Sequence, residues 1–137
     1  MIERIAILVF FVSSSFFSNV FADQAVYVGM EKCRPCHSAI VEAYSGFKRS
    51  RNFRILEMRH KEHDPQCLPC HTTGYGKPGG FISVEKTPYL KNVQCEVCHG
   101  PASLHIKAKT VEEKRKTIKI PHNLCTKCHS RHGHREF

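Results

Sequence analysis

Eight cysteines and ten histidines stand out in this 137-residue sequence. The cysteines fall into pairs with two residues between them: Cys33 and Cys36, Cys67 and Cys70, Cys95 and Cys98, Cys125 and Cys128. Each pair is followed at once by a histidine, namely His37, His71, His99 and His129. Paired cysteines serve zinc clusters, redox-active dithiols and thioether attachment of haem, and in exported proteins they also form structural disulfides. Zinc needs only the thiolates and a disulfide only the sulfurs, so both leave the following histidine idle. Thioether attachment uses the whole pentad: two sulfurs bond the vinyl groups along one porphyrin edge, and the next residue, a nitrogen donor, lies under the iron. The sequence is therefore expected to bind four covalently attached haem c groups. The eight cysteines would be the attachment points and His37, His71, His99 and His129 the proximal iron ligands.

Six further histidines are then free for the opposite iron faces: His60, His63, His105, His122, His132 and His134. Beyond residue 22 the only methionines are Met30 and Met58. This supply predicts mostly bis-histidine iron, without the potential-raising effect of a methionine ligand, and hence low reduction potentials. An isolated histidine is ordinarily a solvated surface residue, but six in so short a chain are too dense for that to hold for all. His105 follows His99 by six residues, too close to reach over its own haem, so it is expected on a different one. His63 and His122 precede the second and fourth pentads by four and three residues, positions that point into a neighbouring haem. His60 is a further distal candidate, and His132 and His134 lie near the C-terminus, where chains fray.

The remaining sequence must position these groups. Residues 1 to 22 hold Arg4, an apolar run of eight from Ile5 to Val12, the serines 13 to 15, and Val20-Phe21-Ala22. Against the roughly 20 apolar residues a bilayer span needs, this reads as a secretory signal cleaved after Ala22. The 115 residues from 23 to 137 are then one domain, and five of the nine phenylalanines leave with the signal. A domain so small and so poor in large apolar side chains needs staples or a large bound apolar group; four haems would be most of its core. The formal charge is +9, and the haem propionates, up to about eight negative charges, would nearly offset it. With no aromatic-interleaved basic stripe, nucleic acid is not the expected partner.

After the first pentad, Ile40, Val41, Ala43, Tyr44 and Phe47 recur at helical spacing, which predicts an amphipathic helix over 38–50 with its apolar stripe on haem. Gly74, Gly76, Pro78, Gly79 and Gly80 mark a loop over 72–80, and Phe81 to Val84 is read as a short strand. Thr110-Val111-Glu112-Glu113 is a capping box opening a short Lys-rich helix that Pro121 ends. Its Lys114, Arg115 and Lys116 are read as a solvated face, with docking of an acidic redox partner as the alternative. The pentads start 34, 28 and 30 residues apart with dissimilar sequence between them, so the pattern is repeated cofactor attachment and not a solenoid. The expected fold class is mainly α and irregular, a small multihaem cytochrome c fold organised around four covalent haems, with little or no β-sheet.

Several stretches resemble the cytochrome c-554 family of exported multihaem cytochromes: Tyr27-Val28-Gly29; the run Cys70 to Tyr75 with Gly79-Gly80-Phe81; and Asn92 to Pro101, followed by His105. The resemblance spans roughly residues 27 to 130. It implies a mainly helical and irregular fold with closely stacked haem pairs, electron transfer in the periplasm, and His105 as a distal ligand. Two departures stand out. Where the family commonly has an aromatic, then Ser or Thr, then a distal histidine, Phe47 and Ser50 are here followed by Asn52, which is no haem ligand. The sequence also ends at Phe137, eight residues beyond His129, where similar proteins continue into another helix with a further ligand; a partner subunit is one way to complete that site.

The function expected from the sequence is that of a periplasmic carrier passing single electrons between a donor and an acceptor protein. Its rival is a haem enzyme with one five-coordinate iron that reduces a small nitrogen oxide or hydroxylamine, motivated by Asn52. A membrane-associated or oligomeric electron-transfer partner is a variant of the first reading.

Overall fold

A computed structural model describes residues 24–119, His122 and residues 125–129. The leader expected at 1–22, Pro121, His132 and His134 lie outside these described residues. The chain forms α1 (Arg34–Ser45), α2 (Phe53–Met58), α3 (Leu68–His71), α4 (Cys95–His99), α5 (Ser103–Lys107), α6 (Val111–Thr117) and α7 (Cys125–Cys128), with 3-10 turns at Met30–Lys32, Lys48–Arg51 and Pro88–Leu90. Among the described residues there is no strand, only an isolated antiparallel bridge between Thr72 and Lys91. The fold is helical and irregular, in agreement with the class expected from the sequence.

Two local expectations are corrected. The helix forecast to residue 50 stops at Ser45. Phe47 turns extended (φ −78°, ψ 147°), and the buried Ser50 hydroxyl takes the carbonyls of Ser45 and Phe47 instead. A side chain that offers the backbone an alternative partner ends a helix in this way. Of the forecast stripe, Val41 is buried while Ile40 and Phe47 are exposed. Residues 81–84 are also not a strand. Phe81 N donates to Thr73 O and Ile82 N to the Thr87 hydroxyl at 2.7 Å, so this stretch serves a loop and a side chain rather than a ladder.

Among the described residues the apolar core is small. Phe53, Leu56, Leu68, Phe81 and Leu90 form one buried cluster, edged by Tyr27, Cys67, Tyr75 and Val84, and the Phe53 and Phe81 rings meet at 5.8 Å between centroids. Leu68 brings the second pentad into this cluster and α2 closes it. The loop over 72–80 seats on the N-terminal strap: Gly74 has φ +75°, and a Cβ there would lie 2.7 Å from the Tyr27 ring. A side chain at Gly80 would fall onto the Gly74 carbonyl. Only glycine fits either place.

Polar groups fasten the strap to the third pentad. The Glu96 side chain is 2% exposed, and its carboxylate accepts from the backbone N–H groups of Val28, Gly29 and Ala102 at 2.8 to 3.1 Å. Gln94 accepts from Met30 N and donates to the carbonyls of Tyr89 and Lys91. These bonds satisfy backbone groups that irregular chain would otherwise bury unpaired. α5 and α6 pack on one another, and the expected capping box opens α6: the Thr110 hydroxyl accepts from Glu113 N and the Glu113 carboxylate from Thr110 N. No helix among the described residues is long and apolar enough to cross a membrane.

Candidate haem-binding site

Every pentad folds onto a helical turn. The first opens α1, the second is α3 with Cys67 before it, the third is α4, and the fourth lies on α7 with His129 just past its end. Residues i, i+3 and i+4 share one face of a helical turn, so the two cysteines and the histidine of each of the first three pentads project to the same side. Pro35 and Pro69 sit in the first turns of α1 and α3, where the missing N–H of proline costs nothing. In α1 the turn kinks at His37 (φ −125°, ψ 39°), which sets that imidazole apart from the helix that follows.

Three histidines are held by a carbonyl. His71 Nδ1 lies 2.9 Å from Asn52 O, His99 Nδ1 lies 2.9 Å from Lys119 O, and His105 Nδ1 lies 2.9 Å from Lys114 O. A carbonyl can only accept, so each Nδ1 carries the proton and each Nε2 keeps a free lone pair. That is the tautomer a metal-bound histidine uses, with its orientation fixed by the bond at the other nitrogen.

The structure brings two predicted site residues close together. The His37 and His105 rings lie 6.3 Å apart between centroids with 24° between their planes. Two metal–imidazole bonds of about 2 Å each, with the depth of the two half-rings, add to about this separation. His37, from α1, and His105, delivered by α5, are thus close enough that they would be able to hold one iron between them. Among the described residues it is the one pair of imidazole rings in contact.

The first and third pentads also meet. The Cys33 thiol hydrogen-bonds the Cys95 sulfur; that bond, with burial, pushes the Cys33 thiol well above the ordinary thiol range, and the same bond holds Cys95 down at about 7 against the opposing effect of burial. Groups attached at these two pentads would be neighbours. Tyr44 closes the arrangement from α1: its hydroxyl donates to Val93 O at 2.6 Å, and burial raises it to about 12 against the opposing effect of Arg49. Among the described residues no three His, Cys, Asp or Glu side chains converge as a bare metal ion would require.

Other candidates stand apart. His60, at a positive φ of 54° just past α2, and His63 are exposed or nearly so, and His63 lies near Glu85. His122 and His129 are exposed, and the Cys125 side chain lies outside the described residues. Asn52, which takes the position of an expected histidine, is fully engaged. Its Nδ2 donates to Cys70 O at 3.0 Å, its Oδ1 accepts from Val93 N at 3.2 Å, and its carbonyl holds His71. It thereby ties the second pentad to the chain that leads into the third. Sequence reasoning missed Asn52, Glu96 and Gln94 in these roles. A carboxylate between the cysteines of the third pentad was the one visible signal, since an acidic group there needs donors nearby.

The sequence model of the cytochrome c554 and c-prime family matches residues 32–100, a stretch with three of the four pentads. Cytochrome c-554 of Nitrosomonas europaea is 28% identical over 95 residues, covering 58% of this chain and 40% of that protein. The chain thus matches less than half the length of this curated relative. No solved structure matches.

Proposed function

The chain belongs to the cytochrome c554 and c-prime family and is a c-type cytochrome; on that premise we propose that it carries four covalent haem c groups and passes single electrons between redox proteins in the periplasm. Cys33 and Cys36, Cys67 and Cys70, Cys95 and Cys98, and Cys125 and Cys128 would hold the haems, with His37, His71, His99 and His129 as proximal ligands. His105 would be the distal ligand to the iron that His37 holds, while His60, His63 and His122 are candidates for the remaining faces. Bound haem supplies a one-electron iron couple, which protein side chains at these positions cannot.

The observation that carries this reading is the opposed pair of imidazoles, His37 and His105, 6.3 Å apart. Imidazole on both faces closes the iron to substrates and favours low potential, the chemistry of a carrier. The chain's own part is orientation. Backbone carbonyls hold His71, His99 and His105 by Nδ1, which keeps Nε2 available and raises its basicity. The contact of Cys33 with Cys95 puts two attachment sites side by side, so an electron has a short path between the first and third haems.

One observation favours a second reading. Asn52 cannot ligate iron, and both polar ends of its side chain are already bonded. An iron left with one open face would make the protein an enzyme that reduces a small nitrogen oxide or hydroxylamine. Absorption spectra of the reduced protein with and without carbon monoxide separate the two. Unchanged bands exclude an open iron and support the carrier; a shift in about a quarter of the haem supports the enzyme.

A further inference from the structure

We propose that α6, with the residues that follow it to Lys119, is a shared positioning element for two haems: through the carbonyls of Lys114 and Lys119 it holds the imidazoles of His105 and His99, which serve different irons. The proposal rests on the haem assignment above. His105 stands opposite His37, whereas His99 belongs to the third pentad, so one short segment reaches both.

The ending of α6 makes this possible. The last carbonyls of a helix have no partner within it. Ile118 is extended (φ −116°, ψ 140°), so Lys114 O is left to accept from His105 Nδ1, and it also accepts from the Thr117 hydroxyl at 2.9 Å. Just beyond the helix, Lys119 and His99 exchange two bonds: Lys119 N donates to His99 O at 3.0 Å, and His99 Nδ1 donates to Lys119 O at 2.9 Å. The start of α6 is pinned independently by the capping box, where Glu113 also accepts from Lys109 N at 3.0 Å. His71 is the internal control, because its carbonyl partner belongs to Asn52, away from α6. A bond at Nδ1 sets both ring orientation and ligand basicity, so movement of α6 alters two haems together and spares the one bound to His71.

The test is a redox titration of the four-haem protein followed by electron paramagnetic resonance. It compares wild type with Thr110→Ala combined with Glu113→Ala, and with Thr110→Ser alone, the haem signals being assigned through His105→Ala. We expect the signals of the His37/His105 haem and the His99 haem to shift together in the double variant. The His71 haem should stay in place, and Thr110→Ser should return both to wild type. Signals that move singly, that move equally for His71, or that do not move overturn the proposal. Where the double variant is not obtained with four haems, wild-type hydrogen exchange decides: the ring N–H protons of His99 and His105 and the Lys114 amide should exchange as one group, and unrelated rates overturn the proposal. Failure of the haem assignment looks different, because His105→Ala would then leave every iron with its original ligands.

Discussion

Removal of single side chains separates ligands from scaffolding. His105→Ala should lower the coordination of one haem while four remain attached, read as a carbon monoxide-dependent band absent from wild type; an unchanged spectrum removes His105 from the ligands. Glu96 makes the opposite kind of prediction. Its carboxylate gathers three backbone N–H groups in a buried place, and an amide would turn a donor toward them. Leaving such groups unpaired costs about 1–3 kcal/mol, so Glu96→Gln should lose about that much stability in denaturant melts, with haem content and spectra unchanged. The two residues were not equally legible. His105 is visible because iron ligation needs one of few residue types. The carbonyls of Asn52, Lys114 and Lys119 that orient the imidazoles left no trace, since every residue carries a carbonyl.

Among the elements, α6 carries the pH prediction. The backbone N–H groups of Thr110 and Lys109 hold the Glu113 carboxyl below the usual range. A value depressed by folding means the contribution is complete above the unfolded value of about 4.3 and is lost as pH falls through the lower folded value. Acidification below about pH 4 should therefore fray the first turn of α6, seen as faster amide exchange at Glu113 and Lys114, while Glu113→Ala, which removes the acceptor, should already be frayed at neutral pH. A fully retained turn in acid would contradict this. The second element-level prediction concerns the apolar cluster around α2 and α3: Leu90→Ala should cost about 2–5 kcal/mol in the holoprotein, measured by denaturant unfolding. The capping box of α6 was legible because its four residues are local. The strand forecast at 81–84 failed because alternation cannot reveal that Thr87, five residues on, takes the Ile82 N–H. The helix forecast to 50 failed likewise, its end depending on the Ser50 hydroxyl.

For the whole molecule, the described residues bury few large apolar side chains, chiefly the cluster around Phe53 and Leu90. Exposed Ile40, Phe47, Ile55 and Met58 lie between the first and second pentads. With haem as the interior that the described residues do not supply themselves, variants of a single pentad, such as Cys67→Ala with Cys70→Ala, should lose stability far beyond the loss of two small side chains. The measurement that bears most directly on this is the intact mass of the purified protein, made in a compartment that attaches haem, combined with quantification of its haem as the pyridine complex. The predicted result is a polypeptide heavier by four haem groups, with four haems per chain retained after denaturation. A chain with no added mass, or with coloured material that dissociates on unfolding, would contradict it.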